Sequence, residues 1–118
     1  MSYNFTNDTP IYLQIVKHVK SLIVSGAYAP LQKLPSVREF SANYEVNPNT
    51  VQKALLELER LGLIFTDRTN GKFVTGEKEI LSSVKNDAIR QLTDNFFEQA
   101  LKLGFSKEEV VNIINKEI

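Results

Sequence analysis

Leu34-Pro35-Ser36-Val37-Arg38-Glu39 and, soon after it, Val46-Asn47-Pro48-Asn49-Thr50-Val51 are both helix openings. In the first, Ser36 and Glu39 have the spacing of a capping box, where each side chain satisfies one orphan amide of the first turn. Val37, Phe40 and Ser41 then supply a short inner face. This helix must be brief, because Asn43-Tyr44-Glu45 runs straight into the second opening. There Asn47 caps and Pro48 takes the first helical position, where a missing N–H costs nothing. Val51, Ala54, Leu55, Leu58 and Leu61 form the buried stripe, and Gly62 is the stop. Two short helices joined by a turn of a few residues make a helix-turn-helix.

Upstream, Thr9-Pro10 starts an earlier helix, with Thr9 as cap and Pro10 as first residue. Ile11, Ile15, Val19, Leu22 and Ile23 recur at helical spacing. Ser25-Gly26 ends it, and Tyr28-Ala29-Pro30 continues as a loop. Downstream, Leu63-Ile64-Phe65-Thr66-Asp67 and Lys72-Phe73-Val74-Thr75 flank Asn70-Gly71, the pattern of a hairpin closed by a type I′ turn. A hairpin directly after the second helix of the pair is a wing.

From Glu77 one helical stripe continues through Ile80, Leu81, Val84, Ala88, Leu92, Phe96, Ala100 and Leu103, widened by Ile89, Phe97 and Leu101. A helix over 77–103 has a length of about 40 Å. Ser106 and Glu109 form a second capping box, opening a last helix with Val110, Val111, Ile113 and Ile114. The expected fold is mostly α with a small β-hairpin. It comprises a winged helix-turn-helix domain over 1–76 and a C-terminal two-helix segment over 77–118.

These residues resemble the GntR family of bacterial regulators. The resemblance rests on Pro10-x-Tyr12-x-Gln14-Ile15, Gly26, the Leu34–Glu39 and Val46–Val51 runs, Leu58-Glu59-x-Leu61-Gly62-Leu63-Ile64 and Gly71-x-Phe73-Val74. It covers nearly all of residues 10–75, and the two helix openings at their mutual spacing are its most specific part. The short C-terminal region is similar to the YtrA subfamily, in which two helices stand in place of a large effector domain and are associated with dimerisation. The resemblance implies a transcriptional repressor. The chain departs from the family pattern at three places. Leu31 follows Pro30 where the family has glycine, Thr69 replaces the first of two wing glycines, and Gln52 stands where arginine is frequent.

On this basis three groups are expected to meet DNA. Ser36, Val37 and Arg38, at the amino end of the second helix, hold a phosphate; Ser36 is at once an ordinary cap. Pro48, Asn49, Thr50, Gln52 and Lys53 face the major groove, where Asn and Gln pair with adenine and Thr meets a thymine methyl or a base edge. Without the arginine, preference shifts away from guanine. Arg68, Asn70, Gly71 and Lys72 form the wing tip, directed at the minor groove. For Arg38 and Lys53 the competing role is that of a solvated charge, and for Asn70-Gly71 that of a plain turn.

Charge does not identify this function. The 118 residues carry 14 basic and 14 acidic side chains, so the net charge is zero. Residues 1–76 hold eight basic and six acidic groups, and residues 77–118 hold six and eight, a mild polarity only. No cysteine is present, which excludes disulfides and thiolate metal sites. No apolar run approaches the ~20 residues of a membrane span. Met1-Ser2-Tyr3-Asn4-Phe5-Thr6 has no signal-peptide pattern, so a cytoplasmic location is expected. His18, the single histidine, has no catalytic companion at a telling spacing, and no phosphate loop or metal cluster is visible. No enzyme activity, cofactor or metal is expected.

Two helices enclose too little space for a ligand site of ~300–1,000 Å³ within one subunit. Their apolar stripe is also too wide to bury against each other alone, which marks an interface. Leu81, Val84, Ala88, Leu92, Phe96 and Phe97 are therefore assigned to a homodimer contact that presents two recognition helices to a palindromic operator of double-stranded DNA. A small-molecule effector stays unassigned, since Phe96 and Phe97 read first as core. The rival is a winged-helix protein-interaction module that binds no DNA. It calls for apolar or acidic groups where this chain has Arg38, Asn49, Thr50 and Gln52.

Overall fold

A computed structural model of the chain describes residues 3–117, so Met1 and Ser2 of the N-terminal expectation lie outside the described residues. The element order is α1 (Ile11–Val24), α2 (Val37–Tyr44), α3 (Pro48–Arg60), β1 (Ile64–Asp67), β2 (Gly71–Val74), α4 (Lys78–Lys102) and α5 (Lys107–Glu117). The fold is mostly α with one two-stranded antiparallel sheet, as the sequence implies. The chain divides into two compact units, Met1–Ser82 and Ser83–Ile118. The first turn of α4 goes with the first unit, where Ile80 lies beside Gly62.

In the first unit the core is filled from all three helices and the hairpin. Ile15, Val16, Val19 and Ile23 come from α1, Phe40 and Tyr44 from α2, and Val51, Ala54, Leu55 and Leu58 from α3. Leu34, Leu63, Ile64 and Val74 close it. The stripes read from sequence therefore err at their ends. Ile11, the first residue of α1, and Leu61, the residue that closes α3, are exposed. Val16 and Tyr44 take buried places instead.

The start of α1 differs from expectation as well. Pro10 is the cap residue, in an extended conformation, and no side chain caps the helix. Gln14 supplies the anchor that Thr9 was expected to give. Its amide group donates to the carbonyls of Thr6 and Thr9 and accepts from the Thr6 N–H, all at 2.9 Å. Tyr3 consequently lies on His18, with ring centroids 4.5 Å apart.

The link from α1 to α2 is more than a loop. Leu31 N–H donates to the Val74 carbonyl, Val74 N–H to that of Gln32, and Leu34 N–H to that of Lys72. Lys33 bridges Phe73, so residues 31–34 run beside β2 as a third, irregular strand. Leu31 adopts φ +66°, a conformation that a side chain disfavours. This accounts for the family's glycine at that place.

In the second unit, Ser106 and Glu109 form the expected capping box of α5, with reciprocal bonds of 3.1 and 3.0 Å. Val110 is buried, and no residue of α4 is. No helix among the described residues is long and apolar enough to cross a membrane.

Candidate nucleic-acid interface

The recognition geometry is set by local bonds that the sequence announces. Ser36 Oγ accepts from the Glu39 N–H at 3.1 Å while Glu39 accepts from the Ser36 N–H at 3.0 Å. The Ser36 amide and hydroxyl hold the Glu39 carboxyl below its ordinary pKa. α2 then closes at Glu45, which stands at φ +57°. Ser41 was expected on the inner face. Its hydroxyl instead donates to the Val46 carbonyl and pins the turn between α2 and α3. Asn47 opens α3 by accepting from the Asn49 N–H at 2.8 Å, with Pro48 in the first turn.

Behind the turn, α1 braces α2. The Tyr44 hydroxyl is 2.7 Å from His18 Nδ1, and the Tyr44 ring stacks with Phe40 at 6.0 Å. Burial pushes the Tyr44 phenol well above its ordinary pKa. His18 thus has a structural partner, and the first helix of the pair is fixed against the core by polar and apolar contacts together.

With Val51, Ala54, Leu55 and Leu58 turned inward, the other face of α3 presents Pro48, Asn49, Gln52 and Lys53 to solvent, with Thr50 half-buried. Ser36 and Arg38 are exposed nearby in sequence, and Val37 is half-buried. Arg38 has no carboxylate within ion-pair distance among the described residues. Lys53 is less free. Its ammonium sits 4.3 Å from the centroid of the Tyr12 ring, a cation–π contact that directs it toward α1.

The wing pairs Ile64 with Val74, Phe65 with Phe73, Thr66 with Lys72 and Asp67 with Gly71. Its loop is the three residues Arg68, Thr69 and Asn70, not a two-residue Asn-Gly turn. A type I′ turn needs positive φ at both central residues, and Asn70 does not have it. Asp67 organises the tip instead. Its carboxylate accepts from the Thr69 N–H at 3.0 Å, the Thr69 hydroxyl at 2.9 Å and the Asn70 side chain at 3.3 Å. Those bonds, the Thr69 N–H first, depress the Asp67 pKa. Gly71 follows at φ +110° and starts β2.

Arg68, Asn70 and Gly71 are exposed at the tip, but Lys72 is not a free cation. Its ammonium donates to the Thr66 hydroxyl at 2.7 Å and lies 3.5 Å from the Glu59 carboxylate. Thr66 in turn donates to Glu59 at 2.7 Å. The Thr66 hydroxyl and then Lys72 keep Glu59 ionised below its ordinary range, tying the hairpin to α3. Lys33 is a cation the sequence reading passed over. It lies against Gly71 at the side of the wing, and only its place just before Leu34-Pro35-Ser36 could have drawn notice.

Two capped helices, a pinned turn between them and a hairpin tied to the second helix define a winged helix-turn-helix protein. The family of bacterial regulatory proteins named for gntR matches residues 11–74. The chain belongs to that GntR family. It is 39% identical over 111 residues to the HTH-type transcriptional regulator YhcF of Bacillus subtilis, covering 94% of this chain and 92% of that one. It is 48% identical over 69 residues to the HTH-type transcriptional repressor YtrA of the same organism, covering 58% and 53%. A GntR family transcriptional regulator from Listeria monocytogenes has the same fold at TM-score 0.87 and 42% identity, over 95% of this chain and 98% of that one. AraR(DBD), solved in complex with operator ORX1, superposes at TM-score 0.58 and 26% identity, over 64% of this chain and 95% of that one.

Proposed function

We propose that this regulator is a repressor that binds a palindromic operator as a homodimer. Residues 1–76 hold the DNA and residues 77–118 hold the partner subunit. The observation that carries the DNA reading is the exposed polar face of α3, Asn49 and Gln52 with Thr50 beside them, together with an exposed Arg38 that makes no ion pair among the described residues. An interaction module without DNA would place apolar or acidic groups there. The operator complex of AraR(DBD) and the repressor name of YtrA support the same reading.

Ser36, Val37 and Arg38 meet the phosphate backbone; Pro48, Asn49, Thr50 and Gln52 read the major groove; Arg68, Asn70 and Gly71 approach the minor groove. Lys53 and Lys72 contribute less, since each is already engaged within the protein. The dimer reading is carried by the second unit, where Ile89, Leu92, Phe96, Leu101 and Leu103 are all exposed. Leu81, Val84, Ala88 and Phe97 are half-buried along the same helix and complete the contact. A two-fold arrangement sets recognition helices about 34 Å apart, one turn of B-DNA. A DNA-binding regulator of this kind works in the cytoplasm.

Fluorescence anisotropy with a duplex from upstream of the gene, at two salt concentrations, tests the proposal. Specific binding with a steep salt slope is expected. Arg38→Ala weakens binding to every duplex, whereas Gln52→Ala costs about 1–3 kcal/mol on the operator and relaxes sequence preference. Equal affinities for wild type and Arg38→Ala would remove Arg38 from the interface.

A further inference from the structure

Of the two cations the sequence offers for the wing, Arg68 is exposed at the tip but Lys72 is spent on Thr66 and Glu59. A different lysine lies at the place. Lys33 is fixed by its backbone: it bridges Phe73 of β2, and the residues on either side bond to Val74 and Lys72. Its side chain runs across Gly71. A Cβ built at Gly71 would stand 3.3 Å from Lys33 Cε, so the lysine stem lies where a side chain at 71 would crowd it. The Lys33 ammonium has no carboxylate within ion-pair distance among the described residues. Glu39, whose ionisation Lys33 favours, is already held by the Ser36 N–H.

Lys33 also occupies a particular gap. A cleft of about 330 Å³ separates the amino end of α2 from the wing tip, and Lys33, Ser36, Val37, Asn70 and Gly71 all line it. Four of those five are residues expected to meet DNA on other grounds, two from each flank. Glu39 also lines the cleft, but among the described residues the Lys33 ammonium makes no ion pair, and its place between two DNA-facing elements suits a polyanion that crosses both. A compact, strongly hydrated charge on a flexible stem suits a phosphate oxygen rather than a base edge.

We propose that Lys33 is a backbone-phosphate contact that joins the footprint of α2 to that of the wing, and that Gly71 serves by seating it. The inference rests on the DNA-binding reading above. It changes what the wing glycine is for. The bare Cα makes room for the protein's own lysine, besides letting the turn reach φ +110°.

The test is the salt dependence of binding for wild type, Lys33→Gln and Lys33→Arg, on the upstream duplex and on a scrambled duplex of equal length. Neutralising one phosphate contributes about 0.9 to the slope of log K against log salt. Lys33→Gln is expected to lower the slope by about one unit per protomer on both duplexes and to leave their affinity ratio unchanged; Lys33→Arg keeps the slope. In a Gly71→Ala background, Lys33→Gln is expected to remove less slope than in wild type, because the lysine is already displaced. A wild-type slope in Lys33→Gln overturns the assignment alone, as does a loss confined to the upstream duplex. If wild-type protein binds neither duplex, the DNA-binding reading falls, and this inference with it.

Discussion

The winged unit and the segment beyond Ser82 both carry apolar residues at helical spacings and use them in opposite ways. In the first unit the stripes converge: Val19, Val51, Leu58, Leu63 and Val74 have no measurable exposure. In the second, Leu92 is 65% exposed and Leu103 78%, and Val110 is the buried residue it contributes among those described. The apolar residues of α4 are less sharply gathered on one face than those of α3, yet a stripe can still be traced from Leu81 to Leu103, and tracing it does not tell whether it is covered. What separates them is whether the chain itself supplies the covering surface. The first unit closes on itself, and the second presents a face that a second copy is proposed to cover.

The strongest way to break that comparison is to charge the open face. Leu92→Glu combined with Phe96→Glu is expected to convert a dimer into a monomer in sedimentation velocity at micromolar concentration. Affinity for a full palindrome should fall by a factor on the order of 10²–10⁴, the gain that linking two sites provides, with half-site affinity nearly unchanged. Wild-type protein that sediments as a monomer at that concentration would sink the dimer proposal. Unaltered far-ultraviolet circular dichroism in the variant separates dissociation from unfolding.

Next in size is truncation of each unit's buried residue. Leu58→Ala is expected to cost about 2–5 kcal/mol in urea denaturation, because the surrounding core cannot fully collapse on the cavity. Val110→Ala removes fewer buried atoms and should cost about 1.5 kcal/mol. Its denaturation midpoint should depend on protein concentration, as expected where association contributes. A larger loss for Val110→Ala than for Leu58→Ala would show that the second unit is closed by its own core.

The smallest effect sharpens the comparison inside the first unit, between core and wing. Asp67 has a depressed pKa, so its contribution to the wing tip is complete above the ordinary carboxylate range near ~4 and is lost as pH falls through the lower folded value. The Thr69 amide resonance should move in that acid window while core amides stay in place. Asp67→Asn should abolish the movement; an unchanged titration of Thr69 in that variant would remove Asp67 from the tip.

How much of this was legible in advance follows from how local each cause is. Ser36 with Glu39, Asn47 with Pro48, and Ser106 with Glu109 act over three residues or fewer, and each forms as its spacing implies. The hairpin was legible from its flanking strands, but its turn was not. Asn70-Gly71 suggests a two-residue loop, whereas Asp67, three residues upstream, supplies the acceptors that set a longer one. Thr9 lost its capping role to Gln14, which reaches back eight residues to Thr6. The recognition face of α3 followed from its buried face. The positions of Lys33, Lys53 and Lys72 did not, because each depends on a residue distant in sequence: Gly71, Tyr12 and Glu59.

Leu31, Gln32 and Leu34 meet β2 across some forty residues of chain, and that distance orders events in time. Closing a loop of that length costs entropy before any bond rewards it, and α1 meets α3 across a comparable length of chain. β1 and β2, joined by a short loop, can pair early, whereas residues 31–34 join them only as α1 packs on α3. The wing's attachment to the head should therefore be gained and lost together with the three-helix core.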